Sequence, residues 1–331
     1  MKFNLILGAA LALSTLGAQA AGLDLSRYQL SATHQIDRLD NLGGMGLEAS
    51  AVTYAADRGT LFVVGDEGKG VVEITRTGTV VGTMALNWSG TGSTNNDAEG
   101  LTYLGNGQLA LVDERPQRAY SFTFAAGGTQ ALGTTPYATI SNYSASNIGI
   151  EGISYDARNG SFVTVKQDND PLRPSRGPQE VRAGSLSFGL GTGSTSLPIL
   201  FDATLMGLDS LSDVQVLSGV NSLSGTDLDN LLILSLDSRK LVEVTRTGQL
   251  VSSLDLSGLT TQGIEGVTVD EQGVIYVVAE QAQDAGAPLN ATSTLFVLSA
   301  PAPAVPEPET FGLLVAGLAA LGVAARRRQR A

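Results

Sequence analysis

Hydrophobic and polar positions alternate along this chain in short stretches, and Gly, Asn and Asp separate these stretches. An alternation with a period of two is typical of β-strands that have one buried face. No stretch between Ala21 and Ala304 has the period of a long helix. Five apolar stretches that follow turn residues predict the second strands of a repeated unit: Thr60–Val64, Leu109–Val112, Ser161–Val165, Leu231–Leu234 and Val274–Val278. The pattern therefore predicts an all-β domain.

Five similar segments recur at nearly regular intervals. They begin at Ser50, Glu99, Glu151, Ser212 and Glu265, and the starts lie 49, 52, 61 and 53 residues apart. Three of them open with Glu-Gly, followed by an apolar residue and Thr or Ser. Repeats of this length are typical of a β-propeller. We predict five four-stranded antiparallel blades, with the repeated segment as the innermost strand; the count becomes six if the 61-residue interval contains a degenerate blade.

A second internal repeat indicates the outer strands. Residues 72–78, Val-Glu-Ile-Thr-Arg-Thr-Gly, recur with small changes at residues 242–248, and each copy precedes another apolar stretch. The last repeat, from Gly263 to Leu298, is one strand short. The segment Tyr28–Ile36 has a strand pattern and precedes the first repeat. We predict that it completes the last blade, since this closes the ring without an open edge.

Residues 1–20 have the features of a secretory signal peptide. Lys2 precedes an apolar stretch from Leu5 to Leu16, and the small residues Ala18 and Ala20 flank Gln19. This arrangement predicts export and cleavage by a signal peptidase after Ala20. The globular domain is then expected to span residues 21–304.

Residues 305–331 have a different composition from the domain. Pro306, Glu307 and Pro308 precede an apolar stretch from Phe311 to Ala325, and four arginines follow it. This segment resembles the PEP-CTERM sorting signal, which has a Pro-Glu-Pro motif, a hydrophobic helix and an arginine-rich end. The resemblance implies transient anchoring in the membrane by the hydrophobic helix and recognition by an exosortase-type membrane protease. The protein would then be attached at the cell surface or secreted.

Charge and composition limit the chemistry. The chain has 331 residues, a formal charge of -12 and no cysteine. Without its two ends it keeps 15 basic and 30 acidic residues. Such a surface repels nucleic acid and suits cations or basic partners. The absence of cysteine excludes thiol chemistry, thiolate metal sites and disulfides.

Taken in order, the repeats resemble the SdiA-regulated family, also described as YjiK/CarP-like. The resemblance covers about Leu47 to Leu298 and implies a β-propeller outside the cytoplasm, with a link to calcium. The chain departs from the family pattern at Gln167 and Leu236, where an acid is expected. The segments that carry the resemblance are Glu48–Tyr54, Asp97–Gly100, Val112–Arg115, Gly149–Gly152, Leu234–Val244, Gly263–Gly266 and Ala279–Glu280.

Acidic residues recur at two positions of the repeat. One set lies at or near the start of the inner strand, and the other follows the second strand. Because a propeller places equivalent positions around one axis, we expect a ring of carboxylates, and hard oxygen ligands favour Ca²⁺. The predicted metal ligands are Glu48, Asp66, Glu99, Glu114, Glu151, Glu265 and Glu280. An equally weighted interpretation is structural: such acids accept backbone N–H groups from the next blade, and Lys166 neutralises part of the ring.

The sequence gives little support for nucleophilic catalysis. The only histidine is His34, on the predicted closing strand, and no serine has the context of a nucleophile elbow. No catalytic residue is assigned. We expect an exported propeller that binds a ligand or an envelope or extracellular polysaccharide partner, with Ca²⁺ at the central channel. Two alternatives remain: a metal-dependent hydrolase of the phytase or lactonase type, and a structural protein of the extracellular matrix.

Overall fold

A computed structural model describes residues 22–36, 42–141, 148–168, 179–191, 193–283 and 292–301, together with Arg326 and Arg328. The chain divides into a unit that ends at Ser299 and a separate C-terminal unit. The predicted signal peptide with its cleavage site at Ala20, the Pro306–Pro308 motif and the apolar stretch to Ala325 lie outside the described residues. Among the residues that are described, no helix is long and apolar enough to cross a membrane.

Five separate antiparallel sheets form the blades of a propeller, which confirms the predicted fold class. The strands are, in blade 1, β2 Ala49–Ala55, β3 Thr60–Gly65, β4 Gly70–Thr75 and β5 Val80–Asn87; in blade 2, β6 Ala98–Gly105, β7 Gln108–Asp113, β8 Arg118–Thr123 and β10 Tyr137–Thr139; in blade 3, β11 Ile150–Asp156, β12 Ser161–Lys166, β13 Glu180–Ser187, β14 Ser194–Ser196 and β15 Ile199–Phe201; in blade 4, β16 Asp213–Val216, β17 Leu231–Ser235, β18 Lys240–Val244 and β19 Leu250–Asp255; in blade 5, β20 Gln262–Val269, β21 Ile275–Gln283, β22 Thr294–Ser299 and β1 Gln29–Gln35.

Only short segments depart from this pattern. Strand β9, Thr129–Ala131, adds to the outer edge of blade 1 in the parallel sense. In the long third interval, the residues that the structure describes form strands β11 to β15 and one short 3-10 helix rather than a further blade, and the described sheets number five. The described 3-10 helices are Leu25–Arg27, Leu132–Thr134, Ala203–Met206 and Gly225–Asp229.

The first strand completes the last blade, as the sequence predicts. Strand β1 pairs antiparallel with β22, with His34 opposite Leu295. The preceding residues also fix the N-terminal segment on blade 4. The N–H of Leu23 donates to the buried carboxylate of Glu243 at 2.8 Å, and Leu25 is fully buried. The segment therefore joins blade 4 to blade 5 before it enters the sheet.

The glycine of the Glu-Gly motif is required by the approach of neighbouring inner strands. A Cβ atom on Gly100 would lie 2.8 Å from the backbone oxygen of Glu151 in the next blade. A Cβ atom on Gly152 would lie 2.7 Å from the Cα of Asp213, and one on Gly266 would lie 2.8 Å from the Cα of Ala51. Backbone atoms cannot move aside at these distances as a side chain does, so the motif keeps adjacent blades in close contact.

The Thr or Ser of the motif links each inner strand to the next. The Tyr103 N–H donates to the Thr53 hydroxyl at 3.1 Å, and the Tyr155 N–H donates to the Thr102 hydroxyl at 2.9 Å. The same contact recurs where the Val216 N–H donates to the Ser154 hydroxyl and the Tyr54 N–H donates to the Thr268 hydroxyl. These bonds satisfy backbone donors that the sheet leaves free on the channel side. Between blades 4 and 5 the link is made by side chains instead, because the Thr268 hydroxyl donates to Gln215 Oε1 at 2.9 Å.

The repeated Thr-Arg-Thr-Gly segment also serves contacts between blades. Arg76 of blade 1 contacts the buried carboxylate of Asp270 in blade 5 at 3.1 Å. Its equivalent, Arg246 of blade 4, lies 3.5 Å from the buried Asp156 in blade 3. Each arginine thus reaches back to the preceding blade, which explains why the segment recurs in two distant blades.

Candidate functional site

The predicted inner-strand acids Glu99, Glu151 and Glu265 lie near one another at one end of the channel. Burial raises the pKa of Glu99 well above its usual value, and the charges of Asp66 and Glu265 raise it further. Burial also raises the pKa of Glu151, with contributions from Glu99 and Glu265. These glutamates belong to blades 2, 3 and 5, and blade 5 adjoins neither of the others. Their charges therefore act on one another at the axis.

Asp66 and Glu99 form the first carboxyl pair. Asp66 follows β3 of blade 1, and its backbone oxygen accepts the N–H of Ala98 in blade 2 at 3.2 Å. This bond holds Asp66 beside Glu99, and a hydrogen bond joins the two side chains. Burial and the charge of Asp97 raise the pKa of Asp66, while the bond from protonated Glu99 acts in the opposite direction.

Glu114 and Glu151 form the second pair in the same way. Glu114 follows β7 of blade 2 and is only 1 % exposed. Its Oε1 accepts the N–H of Gly149 at 2.6 Å, and a hydrogen bond joins its carboxyl group to that of Glu151 in blade 3. Burial raises the pKa of Glu114 to about 7, although the bonds from Gly149 and Glu151 favour the ionised form.

Lys166 lies close to the second pair. It ends β12 of blade 3, is fully buried, and donates from Nζ to the backbone oxygen of Asp168. Burial lowers its pKa, and the surrounding acids, Glu180 first and then Asp168, Glu114 and Glu151, oppose that shift. The lysine thus supplies positive charge within reach of the Glu114–Glu151 pair.

The other three blade boundaries lack one or both members of the pair. The register places Gln167 at the position of Asp66 and Glu114, and its neighbour at the inner position is Ser212. Glu265 faces the position of Leu236, and Glu280 faces that of Ser50. A carboxyl pair therefore forms at the two blade boundaries where both positions are acidic.

Two predicted ligands, Glu48 and Glu280, are not members of the pairs. Glu48 precedes β2, and its charge raises the pKa of Asp66. Glu280 lies on β21, with its carboxylate close to Gly263 of the same blade. Within the described ranges, no three His, Cys, Asp or Glu side chains stand in a metal-ligating arrangement. The structure thus brings five of the seven predicted acids together as two pairs and Glu265.

Asp213 accepts a backbone N–H group from the next blade, which is the structural role that the sequence allows as an alternative for these acids. It occupies the glycine position of the motif in blade 4 and is 2 % exposed. Its carboxylate accepts the N–H groups of Val214 and of Val267 in blade 5, each at 2.8 Å. Burial raises its pKa, although both bonds favour ionisation. The sequence offered only a weak signal, a carboxylate where the motif elsewhere has glycine.

The arrangement is suited to exchanging protons for a cation. Each pair holds a proton between two oxygens because two buried like charges repel. The donors are all carboxylate oxygens, which are the ligands that Ca²⁺ prefers. The Asp66–Glu99 pair would offer oxygens to such an ion, whereas Lys166 competes with it near Glu114 and Glu151.

Fold and site define a five-bladed β-propeller with an acidic end to its channel. Comparison with known families identifies the family of this propeller. Residues 25–283 match the SdiA-regulated family, and the chain belongs to that family. Residues 304–328 match the PEP-CTERM protein-sorting motif. This match confirms the predicted sorting signal and implies export and processing by an exosortase, a membrane protease.

Similar folds occur among solved structures. Myxococcus xanthus glutaminyl cyclase is 12% identical, over 82% of this chain and 95% of its own, with a TM-score of 0.44. Kuenenia stuttgartiensis hydrazine synthase is 11% identical, over 71% of this chain and 56% of its own, with a TM-score of 0.39. A Bacteroides caccae protein of unknown function is 13% identical, over 67% and 65% of the two chains, with a TM-score of 0.36. At this level of similarity they carry no argument about function.

Proposed function

We propose that this exported propeller is a binding protein of the cell envelope or extracellular space, and that the acidic end of its channel takes up a divalent cation, with Ca²⁺ as the first candidate. The observation that carries the proposal is the pair of direct carboxyl contacts, Asp66 with Glu99 and Glu114 with Glu151, together with the charge of Glu265. Buried acids of this density require protons, donors or a cation. Outside the cell, calcium binds to sites of modest affinity.

The position of the single histidine supports binding rather than nucleophilic catalysis. His34 lies on β1, the outermost strand of blade 5, opposite Leu295. A serine nucleophile in the channel would therefore have no histidine base. Hydrolysis by carboxylates and a metal remains a separate hypothesis. This hypothesis predicts hydrolysis of phytate or of an ester. It also predicts that the substitutions Glu99→Gln and Glu265→Gln abolish that hydrolysis.

Thermal unfolding tests the proposed cation site. Millimolar CaCl₂ is expected to raise the melting temperature of the exported protein at pH 7.5 by several degrees, and EDTA to reverse the change, because a ligand of the folded state stabilises it. The same addition at pH 5 should have a smaller effect, since protons then occupy the carboxyl pairs. The double variant Glu99→Gln, Glu151→Gln should not respond at either pH.

A control variant distinguishes calcium binding at this site from a general effect of the negative surface charge. Asp202→Asn with Asp209→Asn removes two exposed acids without touching the channel. It is expected to keep the full calcium response. No response of the unmodified protein, or an equal loss of response in both double variants, would remove the cation from the proposed function.

A further inference from the structure

A cavity of about 390 Å³ opens at the opposite end of the inner strands from the carboxyl pairs. All five blades contribute to its wall, and Tyr54, Tyr103, Tyr155, Gln215 and Glu271 are among the lining residues. In β6, Tyr103 follows Glu99 by four positions, which corresponds to about 13 Å along a strand. The cavity is therefore separate from the acidic site, and the proposed cation function does not involve it.

The repeated motif itself builds this cavity. The Thr or Ser hydroxyls at its base accept N–H groups from neighbouring blades and fix the inner strands around it. The tyrosine rings pack against other aromatic rings: Tyr103 of blade 2 stacks on Phe62 of the neighbouring blade 1 at 5.7 Å, and Tyr155 lies 5.0 Å from Phe162 of its own blade. The rings remain partly exposed. The wall is thus preformed, and its size is that of a small-molecule site.

The charge of the lining is negative. Asp57 and Glu271 are acidic, and none of the residues that line the cavity is Lys, Arg or His. Burial opposes ionisation of Glu271, but hydrogen bonds from Tyr54 and Arg76 lower its pKa to about 2. It is therefore a carboxylate at any physiological pH. An anionic ligand would meet two carboxylates, of which Glu271 is paired with Arg76, and no basic residue among the described residues of the wall.

The tyrosine end already accommodates a cation of the protein itself. The guanidinium of Arg76 lies 4.9 Å from the centre of the Tyr54 ring and contacts Glu271 at 3.0 Å. Cations bind the faces of tyrosine rings in this way. Arg76 also contacts Asp270 and Gln272, so it is held beside the cavity rather than across it. The combination of ring and carboxylate suits a second, external cation.

We propose that this pocket, which we call the tyrosine pocket, binds a small organic ammonium compound with an apolar body. The apolar body would lie against the tyrosine rings, and the ammonium group would face Asp57 and Glu271. A neutral compound of the same shape would gain the apolar contacts alone, and an anionic one would be repelled.

Three probes of nearly equal shape test this assignment: phenethylammonium, 2-phenylethanol and phenylacetate, titrated into the full-length exported protein and followed by calorimetry and ligand-observed NMR. Phenethylammonium is expected to bind about tenfold or more tightly than phenylacetate, with 2-phenylethanol between them, and to weaken with added salt. Equal affinity for the three, preference for the alcohol or the acid, or no binding of any probe at millimolar concentration would overturn the proposal. Stronger binding of a neutral sugar such as glucose would overturn it too.

Matched variants locate the binding. Asp57→Asn is expected to weaken phenethylammonium binding by about threefold or more, because it removes one of the two charges. Asp57 lies in an exposed turn of blade 1, so the fold should survive. Asp209→Asn removes an exposed acid that does not line the cavity and should leave the affinity unchanged. If Asp57→Asn has no effect, or if Asp209→Asn weakens binding equally, the tyrosine pocket is not the site.

Discussion

Glu99 donates a hydrogen bond to Asp66 across the boundary between blades 2 and 1. Neither residue has this partner within its own blade, so the contact exists only in the assembled ring. The same relationship links Glu151 to Glu114 at the next boundary. Between about pH 4 and pH 7 the folded protein therefore keeps protons that the unfolded chain has already released, and its stability depends on pH through them.

The first prediction concerns that pH dependence. The pKa of Glu114 is raised to about 7, so its stabilising contribution is complete below about pH 4 and is lost as the pH rises through 7. We expect the free energy of unfolding, without added cation, to fall by about 3 kcal/mol between pH 5 and pH 8. Below pH 4 it should fall again, because the pKa values of Glu73 and Asp156 are lowered.

Urea unfolding across pH 3 to 8 measures this profile. Gln resembles the protonated form of Glu, so the variant Glu114→Gln should lose the part of the slope that Glu114 contributes between pH 5 and pH 8. A wild-type profile that is flat between pH 5 and pH 8 would contradict the description of the carboxyl pairs.

The second prediction concerns the glycine of the repeated motif. Gly100→Ala would place a methyl group 2.8 Å from the backbone oxygen of Glu151. Because the neighbouring inner strand cannot move away freely, we expect a loss of about 2 kcal/mol or more in the free energy of unfolding. Gly258→Ala is the control, since its Cβ meets nothing within 4 Å, and it should change stability by less than about 0.5 kcal/mol. Equal effects of the two substitutions would show that blade contact does not require the glycine.

The third prediction concerns the N-terminal segment that docks on blade 4. Leu25 is fully buried, whereas Leu30 on β1 is 49 % exposed. Leu25→Ala should therefore cost about 2–5 kcal/mol of unfolding free energy, and Leu30→Ala less than about 0.5 kcal/mol. Chemical denaturation compares the two. If Leu25→Ala is as mild as Leu30→Ala, the segment before β1 contributes little to ring closure.

The fourth prediction concerns the sorting signal. Replacing Pro306, Glu307 and Pro308 with alanine should leave the C-terminal segment attached in a host that contains an exosortase, because the protease recognises that motif. Intact-mass measurement of the exported protein detects the retained segment. Pro303→Ala, in the preceding spacer, is the control and should be processed normally. Normal processing of the triple variant would contradict the role of the motif.

Much of the fold was predictable because its signals are local or repeat at a fixed interval. The inner strands follow from the Glu-Gly motif, and the missing fourth strand of the last repeat identifies Tyr28–Ile36 as its partner. Strand β1 indeed spans Gln29–Gln35. The five second strands agree with prediction to within a few residues. Repetition also predicted that Glu99, Glu151 and Glu265 would meet at the axis.

The pairing of the acids was not predictable from the sequence alone. It depends on which position of one blade faces which position of the next, and that offset comes from the ring geometry. Glu114 therefore meets Glu151, while Glu280 faces the position of Ser50. The roles of Asp213 and of the Thr-Arg-Thr-Gly segment were hidden for the same reason. The tyrosine pocket also forms only when five separate strand ends meet.

Pairing of the first strand with the last has a consequence for how the protein reaches its native state. The Ser31 hydroxyl donates to the Val297 carbonyl oxygen, a contact between residues 266 positions apart. Strand β1 must therefore remain without its partner until nearly the whole domain has emerged from the ribosome or the translocation channel. A chain that stalls before Thr294 exposes bare strand edges to proteases and to other nascent chains. A truncated copy therefore differs from a complete one in the pairing of β1 with β22.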